Sequence, residues 1–355
     1  MSPITGVWLR REASPTEERT PLTPADAARL IAGGLPVAVE RSEQRAFDTD
    51  AYAAAGCRVV AADSWSEAPD HYAVLGLKEP VARPADLTHQ HIFFGHAYKG
   101  QAGGPALLNR FAAGGGRLLD LECLTDESGR RLAAFGYWAG YVGAALAVLH
   151  RRGRLSAPLR SMAKDELDAA LSEQPGGASA LVIGALGRSG RGARAALETA
   201  GLSPSLWDVE ETRDLDKAAL LGHDILVNTV FASEPGPAFL DASDLDRPDR
   251  VLSVVSDVTC DITSDCNRLP VNDKPTDWAE PVRVLRPPAP GLDVIAIENL
   301  PSLLPRESST AFSADLLPHL ATLPSWSPVW DRCAAHFRQA LPTPTADRGE
   351  VSEHE

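Results

Sequence analysis

The chain has 355 residues, of which 44% are hydrophobic and 23% charged, with a formal net charge of -14. That length allows two domains of ordinary size, and the acidic balance argues against nucleic acid or an anionic membrane as a partner. No apolar run approaches the ~18 residues of a membrane span, and the opening MSPITGVWLRREAS lacks the apolar core of a signal peptide, so a cytoplasmic location is expected.

Residues 7–10 (VWLR) are the first strand signal. Thr23-Pro24-Ala25-Asp26 reads as a helix start, with Thr as N-cap and Pro at the first helical position. This helix carries Ala27, Leu30 and Ile31 and stops at Gly33-Gly34. Residues 35–40 (LPVAVE) form a strand, residues 52–56 end a second helix, and residues 58–62 form another strand. Two apolar runs follow, residues 73–77 (AVLGL) and 91–95 (HIFFG), ending at Lys78 and His96. The alternation of strand and helix indicates an α/β domain with a mainly parallel sheet.

Those two run ends draw attention for a chemical reason. Only five of the 34 basic residues are lysines: Lys78, Lys99, Lys164, Lys217 and Lys274. A lysine can give up its proton when partly buried, an arginine cannot, and a histidine titrates near neutrality. A base and an acid at two strand ends suggest a catalytic cleft. A surface lysine and a core histidine would give the same local sequence.

Residues 135–151 (FGYWAGYVGAALAVLHR) are helical and rich in Gly and Ala, suited to close packing as a connecting helix between domains. After a polar segment, residues 180–183 (ALVI) open a second α/β unit, with later strands at 205–208, 224–228, 251–255 and 294–297. The tail from residue 342 is polar and reads as disordered. The five cysteines, Cys57, Cys123, Cys260, Cys266 and Cys333, are scattered without a CxxC pair, so neither a disulfide framework nor a metal site is expected. Cys260 and Cys266 fall close enough in sequence to share one loop, or are idle thiols.

The strand at 180–183 runs into Gly184-Ala185-Leu186-Gly187-Arg188-Ser189-Gly190, and a helix pattern follows. Glycines there let the backbone approach a pyrophosphate, and the helix N-terminus supplies free N–H groups and a positive dipole. Asp208 ends the next strand, where an acid would bond the ribose hydroxyls and repel a 2′-phosphate, favouring NAD over NADP. The spacing is GxxGxxG rather than GxGxxG, and a tight strand–helix turn without a ligand would also fit.

Several segments in order resemble the NAD-dependent, lysine-forming saccharopine dehydrogenases, relatives of alanine dehydrogenase and the transhydrogenase NAD domain. They are EERTPLTP (17–24), GLKEP (76–80), HIFFGHAYKGQAG (91–103), LLDLE (118–122), GRRLAAFG (129–136), IGALGRSG (183–190) and NLPSLLPRES (299–308). The likeness runs from Arg10 to about Trp330. It implies two Rossmann-like α/β domains with parallel sheets and a cleft between them. Residues 1–136 plus 304–355 would form a discontinuous catalytic domain, and residues 137–303 the NAD-binding domain. It also implies small-molecule substrates: saccharopine, or lysine and 2-oxoglutarate. No nucleic acid, membrane or metal is expected, and the chain would be a monomer or small homo-oligomer.

The family reaction is oxidative cleavage of a secondary amine, with lysine as product. By resemblance, Lys78 takes the amine proton and His96 shuttles protons during hydrolysis. Arg19, Lys99, Arg130 and Arg131 fall at substrate-contact positions, where guanidinium forks suit carboxylates. Glu122 matches an acid near the catalytic pair, tuning Lys78 or holding the lysine end of the substrate. Gly184, Leu186, Gly187, Arg188, Ser189 and Gly190 form the cofactor turn, and Asp208 and Thr212 the ribose edge. Asp257 and Val258 lie on the nicotinamide side, and Ile297, Glu298 and Leu300 in a loop near cofactor and substrate. An alanine-dehydrogenase-like or other opine-type amino-acid dehydrogenase is the alternative.

The chain departs from the fungal pattern at three places. Gly100 stands where fungal members have Asp, Glu298-Asn299 where they have Asp-His, and Ser189 where some have Cys. The first two bear on the identity of the amine substrate. The insert at 273–281 (DKPTDWAEP) has no role assigned by the resemblance.

Overall fold

The computed structural model describes residues 3–98, 100, 103–175, 177–287 and 291–341. The chain forms two compact units, one from residues up to Ala133 together with those from Phe312 onward, the other from Ala134–Ala311.

The first unit is built on six parallel strands: β1 (Gly6–Leu9), β2 (Val37–Glu40), β3 (Arg58–Val60), β4 (Tyr72–Leu75), β5 (Gln90–Phe93) and β6 (Arg117–Asp120). Their order is β3-β2-β1-β4-β5-β6. The sheet reverses direction of growth between β1 and β4, the point where open α/β sheets bind ligands at their carboxyl ends. Strands β1, β2 and β5 are buried along their whole length, which is why they read as continuous apolar runs. One face packs Trp8, Val74, Phe93 and Leu118 against Phe111 and Phe337, whose rings meet edge to face at 5.5 Å.

Thr23 caps the first helix (Pro24–Ala32) as expected, accepting the Asp26 N–H. The C-terminal segment is tied to this helix start: Ser313 Oγ donates to Asp26 Oδ2 at 2.6 Å and accepts the Thr23 N–H at 3.0 Å.

The second unit holds β7 (Ala180–Ile183), β8 (Ser205–Trp207), β9 (Ile225–Asn228), β10 (Val254–Asp257), β11 (Arg283–Arg286) and β12 (Leu292–Ile295). The order is β11-β12-β10-β9-β7-β8, parallel except for the β11–β12 pair. Its Gly/Ala-rich helix, Gly136–Arg151, is not a bare connector. It lies backbone to backbone on the helix Arg188–Thr199: a Cβ on Gly140 would stand 1.8 Å from the Ser189 carbonyl, and one on Gly192 1.8 Å from the Tyr137 carbonyl. The insert at 273–281 braces this unit. The Trp278 carbonyl accepts the Leu159 N–H at 2.6 Å, and Thr276 and Ala296 exchange two hydrogen bonds at 2.8 and 2.9 Å.

Two expectations shift. The strand expected at 251–255 forms at Val254–Asp257, because Val251 and Leu252 give their N–H groups to the Leu221 carbonyl instead. The second crossing, expected near 303–305, falls between Ala311 and Phe312 inside the helix Pro305–Leu320. Leu304 belongs to the core of the second unit. Lys99 and the tail from 342 lie outside the described residues. All five cysteines are free thiols, and Cys260 donates its Sγ–H to the Ala296 carbonyl at 3.4 Å. Among the described residues no helix is long and apolar enough to cross a membrane, and no cluster of His, Cys, Asp or Glu is arranged to hold a metal.

Candidate active site

Four neighbouring strand ends carry the chemistry of the first unit. Residues at or just beyond the ends of β1, β4, β5 and β6 supply Arg10 and Glu12, Lys78, His96, and Asp120 with Glu122, respectively. The β-ladder continues past the strands: Gly76 N–H donates to the Ile92 carbonyl and Phe94 N–H to the Leu77 carbonyl, both at 3.0 Å. Lys78 and His96 thus follow adjacent, mutually hydrogen-bonded extensions of β4 and β5.

Lys78 is half-buried, and its backbone is gripped from both sides. The buried Glu12 carboxylate accepts the Leu77 and Lys78 N–H groups at 2.7 and 3.0 Å. The buried Arg10 guanidinium donates to the Lys78 carbonyl and to Glu12. Gly76 makes this possible, since a Cβ there would lie 2.4 Å from the Arg10 guanidinium.

His96 takes a left-handed backbone conformation with φ +47°. For a non-glycine residue that conformation costs about 1–2 kcal/mol and persists only where neighbours enforce it. Its ring stacks on Phe94, and its Nδ1 lies 3.5 Å from Glu122 Oε1, an ion pair when the imidazole is protonated. Glu122 therefore stands beside the histidine.

Sequence reasoning overlooked Asp120, although it sits inside the LLDLE segment. Its carboxylate is 1% exposed and accepts the Gly95 N–H at 3.2 Å and the Glu122 N–H at 2.9 Å. Burial pushes this carboxyl up to about 6; the negative Glu122 adds to the rise, while the two N–H groups and His96 oppose it.

The expected cationic anchors differ from one another. Arg19 is buried, and its fork closes on Glu17 with hydrogen bonds of 2.7 and 2.6 Å. Arg130 and Arg131 are exposed on a tight turn after residue 124. Asp126 organises that turn, accepting the Ser128 and Arg130 N–H groups at 3.0 and 2.9 Å and pairing with the Arg130 guanidinium at 3.0 Å. These bonds, led by that from the Ser128 hydroxyl, hold the Asp126 carboxyl down at about 2. Gly100, where fungal relatives have Asp, has φ +75° with open space at its Cβ position. Gly and Asp are both among the residues that tolerate such backbone.

In the second unit, β7 runs into the glycine turn. Gly184 has φ +82°, and a Cβ on Gly190 would stand 2.2 Å from the Gly184 carbonyl. Gly187 is the N-cap of Arg188–Thr199, and no side chain caps that helix. The N-cap thus offers no side-chain acceptor to the first N–H groups, as a pyrophosphate site requires. Asp208 caps the next short helix in a reciprocal box with Glu211, and its Oδ2 accepts the Leu186 N–H at 2.9 Å. Thr212 Oγ1 donates to the Asp208 carbonyl at 2.7 Å. Each Asp208 oxygen retains acceptor capacity for a ribose hydroxyl. A glycine cradle that side chains would fill, an uncapped helix start and an acid beside them fit a dinucleotide.

The remaining expected cofactor residues are not equivalent. Asp257 is buried, accepting from Asn228 Nδ2 at 3.0 Å, and burial raises its carboxyl. Ile297 and Leu300 are core side chains, so only their backbone is offered to a ligand. Val258 packs beside Gly143, where a Cβ would lie 2.6 Å from its methyl group. Glu298 is exposed.

Two units built on largely parallel sheets give the chain the fold of alanine dehydrogenase and transhydrogenase. Residues 8–142 match the family model described as alanine dehydrogenase/PNT, N-terminal domain. The structure resembles an L-alanine dehydrogenase with a TM-score of 0.65 and 16% identity, covering 94% of each chain. In sequence the chain is 40% identical to the saccharopine dehydrogenase [NAD(+), L-lysine-forming] of Emericella nidulans over 95% of this chain and 97% of that one. It is 41% identical to the enzyme of the same name from Neurospora crassa, over 96% and 97%. The chain belongs to the NAD-dependent, L-lysine-forming saccharopine dehydrogenase family.

Proposed function

We propose that this protein is an NAD-dependent saccharopine dehydrogenase. It converts saccharopine, NAD+ and water reversibly to lysine, 2-oxoglutarate, NADH and a proton. The observation that carries this reading is the placement of Lys78 and His96 on adjacent extensions of β4 and β5, in a chain 40% identical to the Emericella enzyme across nearly its whole length.

The cofactor supplies the hydride acceptor for the Cα–H of the glutamyl half, or the donor in reverse. Oxidation needs the substrate nitrogen to lose its proton first, and Lys78 accepts it. Glu12 and Arg10 fix the Lys78 backbone, which sets the point from which its neutral side-chain amine meets the substrate nitrogen. Water then adds to the substrate imine, and the carbinolamine collapses to lysine and the oxoacid. His96 takes the proton from the water and returns one to the departing amine, and Glu122 at 3.5 Å stabilises the imidazolium between the two transfers. Arg19, Arg130 and Arg131 are assigned to the substrate carboxylates. The glycine turn 184–190 and Asp208 are assigned to the pyrophosphate and the ribose of NAD.

The test is NADH oxidation with 2-oxoglutarate against a panel of lysine, ornithine and arginine. Lysine should be strongly preferred, and the signal should vanish without the oxoacid. Turnover of pyruvate with ammonia, and none with lysine and 2-oxoglutarate, would overturn the reading.

A further inference from the structure

We propose that Asp120 is a positioning residue that fixes His96 and Glu122 relative to each other by clamping the Gly95 and Glu122 N–H groups with its two carboxylate oxygens. This rests on the catalytic reading of His96 and goes beyond it by naming the group that holds the histidine in place.

Four observations support the proposal. Asp120 is 1% exposed at the end of β6, below the site, so it acts through other residues and not on substrate. One oxygen binds the residue before His96 and the other binds Glu122 itself, so a single carboxylate ties the two loops that carry the pair. The His96 backbone is left-handed, a conformation that needs an external restraint, and the bond to Gly95 N–H sits next to it. Gly95 admits the approach: a Cβ there would lie 3.0 Å from Asp120 Oδ2 and 2.5 Å from a Leu118 methyl.

Only the ionised form offers two full-strength carboxylate acceptors. Protonation makes one oxygen an O–H donor and a weaker acceptor, which weakens its bond to the N–H it holds. The titratable groups around Asp120 are His96 and Tyr98 beyond β5, Glu122 and Cys123 in the turn after β6, and Cys333 on the helix Pro328–Ala340. The Cys333 Sγ–H donates to the Asp120 backbone carbonyl at 3.7 Å. Burial carries the carboxyl to about 6, so the clamp loosens as pH falls through that value.

Two measurements test this. In selectively labelled wild-type protein, the amide resonances of Gly95 and Glu122 should titrate together with a shared midpoint near 6. In Asp120→Asn, kcat with lysine and 2-oxoglutarate should fall roughly 10- to 100-fold. NAD affinity should stay within about twofold, and the acid limb of the wild-type kcat profile should flatten. A merely structural role would lower thermal stability without changing the shape of that profile. Amides that titrate separately or not at all, or a variant with unchanged kcat and the same acid limb, would overturn the proposal. The amide titration needs neither turnover nor a variant. It therefore decides the matter even if Asp120→Asn fails to fold. A wild type inactive with these substrates would count against the functional reading alone.

Discussion

Gly192→Ala is the sharpest test of how the second unit is packed. On helix propensity alone the change should stabilise by about 1 kcal/mol, since Gly192 lies inside the helix Arg188–Thr199. The structure says the opposite. The new methyl would stand 1.8 Å from the Tyr137 carbonyl and 2.9 Å from the Tyr141 N–H, where ordinary contact begins at 3.4 Å. Both obstacles are backbone, so no rotamer change relieves them, and the helices must part by about 1.5 Å at this point. Overpacking costs about 1–3 kcal/mol where side chains can yield, and more where they cannot. Parting also strips contacts from Ala144, Ala193 and Ala196, all fully buried. The net expectation is a loss of about 2 kcal/mol or more. NAD affinity should fall as well, because the same helix begins at the glycine turn. Urea unfolding followed by tryptophan fluorescence measures the first effect, and ligand titration the second. Gly222→Ala is the control, since its Cβ would meet only its own helix's carbonyls at 3.3–3.4 Å. A Gly192→Ala protein as stable as wild type, or more so, would refute the backbone contact.

Three further outcomes are expected. His91 is fully buried among Trp65, Phe93 and Phe111, neither ring nitrogen has a hydrogen-bond partner among the described residues, and burial holds its imidazole well below 6.5. The unfolded histidine binds a proton below about 6.5 while the folded one stays neutral, so wild-type stability is full above that pH and declines below it. Asp120, raised in the folded state, acts in the opposite sense, so the His91 contribution is read as the difference between wild type and His91→Leu. That difference should grow by up to about 1.4 kcal/mol per pH unit below 6.5, and a difference independent of pH between 5 and 7 would contradict it. Asp208→Asn removes the charge proposed to face the ribose and should shift the ratio of NAD to NADP turnover by about tenfold towards NADP; an unchanged ratio would remove Asp208 from the ribose edge. Glu12→Gln loses one of two acceptors under Leu77 and Lys78. Its kcat should fall roughly tenfold or more with NAD affinity unchanged, as measured by steady-state rates and equilibrium binding.

The sequence exposed most strongly what local physics determines. The apolar runs before Lys78 and His96 became β4 and β5 because a strand buried on both faces reads as continuous hydrophobicity. Thr23-Pro24 became a helix start because capping is a short-range property. Pairings between distant segments were hidden. β6 is only four residues, RLLD, and is recognisable as a strand only through its register on β5. Without that register Asp120 is an unremarked acid. β11, half-buried and antiparallel at an edge, carries no apolar run longer than two residues. The Glu17–Arg19 pair occupies a loop, where spacing carries no period to read. Two C-terminal helices were missed despite a usable signal, a proline at the first turn of each, at Pro305 and Pro328.

The central claim is tested most directly by following the hydride. Lysine, 2-oxoglutarate and NADH deuterated at the transferable position should give saccharopine one mass unit heavier, with the label at the glutamyl Cα. Lys78→Met and His96→Gln should each lower its formation by about 10²-fold or more while still binding NAD. Absence of labelled saccharopine from the wild-type reaction, with label appearing instead in alanine from pyruvate and ammonia, would contradict the account.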